Sequence, residues 1–210
     1  MMPPKTNIYV DGFNLFYGAV KGTPYKWLDL NHLCELLLPD HDIQTIKYFT
    51  ARVSARPSNP DQDLRQQVYL RALRTLPNVE TIFGHFLTSR ARMPLARPVA
   101  GSPSVVEVLK TEEKGSDVNI ASHLVNDAHN GDFEVAVLIT NDSDLLTPMK
   151  IVRRELHLPV GIINPYNRFA RVLAREASFK KKIRAGVLAL SQLTPTLHDS
   201  HGTFHKPASW

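Results

Sequence analysis

The chain has 210 residues, 43% of them apolar, and 25 Lys and Arg against 20 Asp and Glu, for a net charge of +5 and a pI near 9.4. One domain of that size can bury a substantial core. No apolar run reaches the roughly 18 residues of a membrane span, the opening MMPPKTN lacks an apolar leader core, and the single cysteine, Cys34, excludes an internal disulfide; a cytoplasmic protein with no membrane partner is expected.

Residues 7–10 read as a first strand, followed by helices at 13–20 and 29–38, the second with Asp29 as its N-cap. IQTIKYFTAR at 43–52 suits a strand with interleaved polar positions. From Asp61 to Leu76 the apolar residues Leu64, Val68, Leu73 and Leu76 recur at helical spacing. Residues 79–87 read as a strand, with 105–109 as its hairpin partner across 89–104, an exposed flap carrying Arg90, Arg92, Arg97 and three prolines. A helix is expected over 117–129. EVAVLIT at 134–140 is the kind of continuous apolar run a central parallel strand needs. A helix at about 145–155, a strand at 159–163 and basic helical segments from about 167 complete the pattern.

That βαβα order predicts a three-layer α/β/α sandwich around a mainly parallel sheet, Rossmann-like in outline, in one domain of residues 1–190 with a tail at 191–210. Between Arg168 and Arg184 seven cations (Arg168, Arg171, Arg175, Lys180, Lys181, Lys182 and Arg184) stand against Glu176 alone. A basic face of this kind offers itself to a polyanion, nucleic acid first.

Several carboxylates sit where a fold has no obvious use for them. The run Ile8-Tyr9-Val10 ends at Asp11-Gly12, and Asn14 follows. Asp is poor in strands, so Asp11 is either a turn or cap residue or it holds something charged. The apolar strand at 134–140 ends in the same way, at Asn141-Asp142-Ser143-Asp144. In open α/β sheets ligands bind beyond the carboxyl ends of the strands. Gly115-Ser116-Asp117 delivers a third acid in the first turn of a helix. Each acid alone reads as a cap; capping does not require three separated segments to send acid to one edge. Carboxylates so gathered repel unless a cation lies between them. All-oxygen ligation selects Mg²⁺ or Mn²⁺, which can activate water and neutralise a scissile phosphate.

Three segments then resemble the NYN family, relatives of the PIN-domain ribonucleases, in its LabA-like branch: YVDGFNLFYG, EEKGSDVNIASHLVNDA and LITNDSDLLTPM. The likeness runs from about Ile8 to Pro165. It implies a PIN-like fold and metal-dependent cleavage of phosphodiester bonds, usually in RNA. Residue by residue it places the acidic site at Asp11, Asp117, Asp142 and Asp144, with Asn14 as the polar partner. The sequence departs from the pattern at His123, where many relatives carry a second acid; lying about 9 Å along the helix from Asp117, it is expected to be a neighbour rather than a ligand.

Asp11, Asp117 and Asp142 are therefore expected to contact the ion, with Asp144 binding a second ion or orienting water. Ser143 and Thr140 hold carboxylates or touch substrate, and Lys114 contacts phosphate. Arg90 and Arg92 on the flap, with Arg171, Lys181 and Arg184, form the expected strand-binding surface, for RNA as partner, with homodimerisation left open. The alternative is a non-catalytic RNA-binding or regulatory module. An aspartyl-phosphate hydrolase would need an acid at Phe13, and a dinucleotide-binding enzyme a Gly-x-Gly-x-x-Gly turn after the first strand; neither is present.

Overall fold

Residues Lys5–Asp11 form β1, in which Ile8 and Val10 point to one side and Tyr9 to the other. All three are buried, so both faces of this strand must be covered. The computed structural model, which describes residues 2–97, 101 and 103–210, shows what covers them.

After β1 come α1 (Gly12–Leu15), continued by a π-helical turn at Phe16–Val20, then α2 (Leu30–Leu37), β2 (Asp42–Thr50), α3 (Gln62–Leu73), β3 (Val79–Phe83), β4 (His85–Pro94) and β5 (Val105–Lys114). The second half comprises α4 (Ser116–Asn130), β6 (Val135–Ile139), a 3₁₀ turn at Ser143–Leu145, α5 (Leu146–Lys150) with a further π turn at Ile151–Glu155, β7 (Val160–Asn164), α6 (Arg171–Glu176), β8 (Phe179–Lys182), α7 (Ala185–Leu190), β9 (Thr196–Asp199) and β10 (Gly202–His205).

Six strands make one parallel sheet in the order β3-β2-β1-β6-β7-β8. Its two faces carry separate cores. Ile8, Val10, Ile46 and Val137 pack against α2, α3 and α7; Tyr9, Phe49, Leu138 and Ile162 pack against α4, α5 and α6. The expected three-layer α/β/α architecture is thus present. Asp29 caps α2 as its sequence position suggests, accepting from the His32 N–H at 3.0 Å. Cys34, on the buried side of α2, is fully enclosed, and burial pushes its thiol well above the ordinary range.

The chain runs outward from β1 to β2 and β3, then returns to lay β6 on the other side of β1. The switch point therefore lies between β1 and β6, where Val10 pairs with Ile139. This is where an open sheet of this kind holds its ligands.

Two expectations fail in the second quarter of the chain. Residues 79–87 do not form one strand. The chain leaves the sheet at Gly84, whose N–H donates to the Thr50 carbonyl at 2.8 Å, and β4 pairs antiparallel with β5 from His85↔Lys114 out to Pro94↔Val105. The expected flap is therefore a regular two-stranded ribbon; its residues 98–100 and 102 lie outside the described residues. Gly84 is built tightly into the ribbon's root, since a Cβ there would come within 2.5 Å of the Lys114 carbonyl. The basic region is not wholly helical either. Phe179–Lys182 forms β8, the edge strand, whose lysines guard an open row of backbone groups against stray pairing.

Residues 191–210 lie against the domain. The indole N–H of Trp27 donates to the Thr194 carbonyl at 2.8 Å, and Phe204 of β10 joins the first core. Arg71 holds Asp199 of β9 through two hydrogen bonds, at 2.7 and 2.6 Å. No described helix is long and apolar enough to cross a membrane.

Candidate metal centre

Asp11 is the last residue of β1 and the N-cap of α1. The cap reading holds. One carboxylate oxygen accepts the Asn14 N–H at 2.9 Å, and the other accepts the Asn14 side-chain amide at 2.7 Å and the Thr140 hydroxyl at 3.2 Å. The strand-to-helix bend that aims it leaves no room at Gly12, where a Cβ would stand 2.7 Å from the Phe49 carbonyl. Thr140 follows β6, so adjacent strands of the sheet hold one carboxylate from two sides. Asn14 extends the link, accepting the Asn141 N–H through its amide oxygen at 3.1 Å.

Asp142 caps the 3₁₀ turn after β6 and accepts the Asp144 N–H at 2.9 Å. Asp117 comes from the other direction, in the first turn of α4. That helix start is fixed by Glu113 of β5, whose carboxylate accepts both the N–H and the hydroxyl of Ser116, at 3.2 and 2.9 Å. The ribbon thus sets where α4 begins, and α4 sets where Asp117 stands.

The three carboxylates of Asp11, Asp117 and Asp142 each place an oxygen within 4.8 Å of the others. Among the described residues no Lys or Arg is ion-paired with any of them. The electrostatic cost is visible in their protonation. Burial raises the carboxyl of Asp11, against the pull of its hydrogen bonds to Asn14 and Thr140. Asp117 is pushed up to about 6, first by burial and then by the charges of Asp142, Asp11, Glu113 and Asp144. Like charges gathered without a counter-ion are the condition a divalent cation relieves. The donor set is all oxygen, which suits a hard ion such as Mg²⁺ or Mn²⁺.

A cleft of about 300 Å³ opens over these acids. Its walls include Asn14, Glu113, Phe13, Phe86, Arg56 and Gln62. Phe13 and Phe86 meet edge to face with centroids 5.8 Å apart, joining α1 to the ribbon across the cleft. Arg56, Gln62 and Phe86 were not singled out from sequence. They come from the β2–α3 connection, the first residue of α3 and the root of the ribbon, where no periodic pattern points at the site. Tyr166, also unforeseen, has its phenol raised by burial and by the charges of Asp11 and Asp142.

The other expected residues fall in several places. Asp144 and Ser143 are exposed on the 3₁₀ turn, with Asp144 close enough for its charge to act on Asp117. Lys114 turns to Glu112, at 3.5 Å. Arg90 sits out on the ribbon 3.6 Å from Glu107, and Arg92 stands opposite that same glutamate. Arg171 opens α6, directly after Ala170, whose N–H donates to the Asn141 side chain at 2.7 Å. Lys181 points elsewhere, donating to the Leu37 carbonyl at the end of α2 at 2.5 Å. Its neighbour Lys182 reaches the Asn167 carbonyl at 2.6 Å, in the loop that Asn141 ties to the acids. Arg184 is exposed at the N-cap of α7. His123 lies along α4 against the Phe49 ring and 3.5 Å from the Lys47 ammonium, outside the acid cluster.

Residues 5–181 match the model of the NYN domain family. The chain is 32% identical, over 237 aligned positions, to 6-hydroxy-3-succinoylpyridine 3-monooxygenase HspA of Pseudomonas putida, an alignment covering 99% of this chain and 76% of that protein. Among solved structures it resembles a protein of unknown function from Vibrio parahaemolyticus, with a TM-score of 0.58 and 17% identity over 88% of this chain and 95% of the other. That last likeness is one of fold.

Proposed function

The chain belongs to the NYN domain family, and from that premise and its converging aspartates we propose that it is a metal-dependent endoribonuclease hydrolysing phosphodiester bonds of RNA in the cytoplasm. The observation that carries the reading is the uncompensated carboxylate triad. Three acids from β1, α4 and the turn after β6 meet within 4.8 Å, and among the described residues no Lys or Arg is ion-paired with any of them.

Asp11, Asp117 and Asp142 would hold the ion. Mg²⁺ or Mn²⁺ bound there supplies charge neutralisation at a scissile phosphate and a bound water of lowered pKa. The protein groups have separate tasks. Thr140 and Asn14 fix the Asp11 carboxylate in one orientation. The Asn14 to Asn141 bond keeps the first and third acidic segments in register. Phe13 and Phe86 exclude solvent from one wall. Arg56 is the one basic side chain among the described lining residues of the cleft and meets the substrate phosphate. Arg171 and Lys182, flanking the loop tied to Asn141, hold the strand to one side; Arg90 and Arg92 of the ribbon extend the surface.

The test is cleavage of total RNA by purified protein with Mn²⁺, with EDTA, and with Asp11→Asn in place of the wild type. Cleavage that needs both the ion and Asp11 supports the reading. Equal cleavage by wild type and variant overturns it, and tight RNA binding without cleavage moves the protein to the non-catalytic alternative.

A second reading has one observation behind it. The relative from Pseudomonas putida is named as an oxygenase of a hydroxypyridine acid, and this chain has a cavity of about 550 Å³ with aromatic and basic walls beside the acids. Turnover of 6-hydroxy-3-succinoylpyridine, followed by its ultraviolet absorbance in air with a reduced nicotinamide, tests it.

A further inference from the structure

The acid cleft shares a wall with that second, larger cavity, which lies between α1 with its π turn, the β2–α3 connection and the start of α3. Phe13, Tyr17, Val53, Arg56 and Gln62 line both, so the two are continuous. Their chemistry is opposite. The cleft is lined by Asp11, Asp117, Asp142 and Glu113. The described lining of the larger cavity contains Lys21, Lys26, Arg56 and Arg65 and no Asp or Glu. Of these cations only Arg65 has a carboxylate within ion-pair reach among the described residues, Asp61 at 4.0 Å. Aromatic rings share the walls with aliphatic and neutral polar side chains: Phe13, Phe16, Tyr17, Tyr48, Tyr69 and Trp210 all line the cavity.

Tyr48 and Tyr69 belong to the core, but Tyr17 does not. It is 54% exposed, packed edge to face on Phe16 and covered on one side by the Lys21 ammonium at 4.7 Å. A phenol ring held at the border of two cavities, with a cation beside it, is a surface for stacking a flat ring. At about 550 Å³ the space matches pockets that take small organic ligands.

Resting on the phosphodiesterase reading of the acid cleft, we infer that the larger cavity is the seat of a nucleotide flanking the cleaved bond: its base stacks at Tyr17 and its phosphate meets Lys26 and Arg56. The chemistry recognised is a flat aromatic ring carrying an anion. The scissile phosphate goes to the acids and their ion, and the next phosphate along goes to protein cations. This arrangement makes the substrate single-stranded at that step, because a base held in a duplex cannot enter the cavity.

The test is run in EDTA, so it does not depend on catalysis. Adenosine 5′-monophosphate is titrated against the full chain while tryptophan fluorescence is followed, with a Trp210→Phe variant identifying the reporter. Saturable quenching, lost with Trp210→Phe and weakened about 10-fold or more by Lys26→Gln with Arg56→Gln and by Tyr17→Ala, supports the inference. Circular dichroism checks that each variant is folded; Tyr17, Lys26 and Arg56 lie outside both cores, and Trp210, which packs on the first, keeps an aromatic ring as Phe. Three results overturn it: no quenching at millimolar nucleotide, quenching untouched by these variants, or benzoate binding as tightly as the nucleotide, which would assign the cavity to a free aromatic acid. Metal-dependent RNA cleavage by the same preparation is scored separately. Cleavage without nucleotide binding removes this inference and leaves the enzyme; nucleotide binding without cleavage removes the enzyme and leaves the cavity.

Discussion

Asp127 and Asp11 are both buried aspartates, one on α4 and one at the end of β1, and their surroundings differ in one respect. Asp127 accepts the Lys47 ammonium at 2.6 Å and the Tyr9 hydroxyl at 2.7 Å, so its charge is answered within the fold. Glu176 is answered in the same way by Arg153 and Arg154. Asp11 receives only neutral donors and faces two further carboxylates. A buried acid with its own cation is part of the scaffold; a group of acids without one could hold a cation from solution. Burial alone does not separate the two cases, and the partner does.

Substitutions on the two sides of this contrast should fail in different ways. The largest effect is expected from Asp11→Asn or Asp142→Asn: loss of Mn²⁺-dependent RNA cleavage by about 1,000-fold or more, with thermal stability kept or raised, measured by a gel assay and a melting curve. Asp127→Ala should do the reverse. It leaves the Lys47 ammonium nearly buried and unpaired, at a cost of about 3–5 kcal/mol in chemical denaturation, while whatever fraction remains folded still binds Mn²⁺. If Asp127→Ala proved as stable as wild type, the distinction between the two kinds of acid would fail.

Metal addition comes next in size. An ion at 100 times its dissociation constant adds about 2.7 kcal/mol, a rise of roughly 5–10 °C in melting temperature for a chain of this length. That rise should vanish in Asp11→Asn and persist in an Asp199→Asn control. Smaller still is the pH effect. Because the Asp117 carboxyl sits near 6 in the fold, above its ordinary value, the folded protein holds that proton more tightly than the unfolded chain. Metal-free stability therefore falls as pH rises from about 4 through 6. Asp117→Asn should melt about 2 °C above wild type at pH 7.5 and match it at pH 4; an equal gap at both pH values would remove the burial of the Asp117 charge and its repulsion by the other acids as the cause. Finally, Arg171→Gln with Lys182→Gln should lower the salt slope of RNA binding by about 2, while Lys181→Gln, with its ammonium on the Leu37 carbonyl, should leave it unchanged.

The acids were legible in the sequence because each ends an apolar run or begins a helix, and those positions are set by hydrophobic pattern alone. Two strands that end in acid become neighbours once the switch point falls between β1 and β6. The surrounding wall was not legible. Arg56 comes from a connection with no periodicity, Gln62 from the first turn of α3, where the helical pattern marks no site, and Phe86 depends on how the ribbon leaves the sheet. Residues 89–94 of the ribbon were read as loop, although 79–87 and 105–109 were read as strands, because the ribbon is exposed on both faces for most of its length and alternation there has no core to report. β8 was read as helix because its three lysines carry no hydrophobic period, and an edge strand needs none. Lys181 and Lys182 illustrate the cost: in sequence they are equivalent, but a strand sends them to opposite sides, one toward α2 and one toward the loop beside the acids.

Gly84 makes the ribbon a lever with a fixed fulcrum. Each arm is ten residues long, about 30 Å at the usual rise per residue, and its root is where a Cβ on Gly84 would stand 2.5 Å from the Lys114 carbonyl. A methyl group at that point would force the root of the ribbon to shift, and the displacement would grow along the arm that bears Arg90 and Arg92. The same wedge would pull on Glu113 and so on the first turn of α4. One added carbon, on none of the three aspartates but against the Glu113 carboxylate, would disturb both the grip on a long substrate and the seat of the ion.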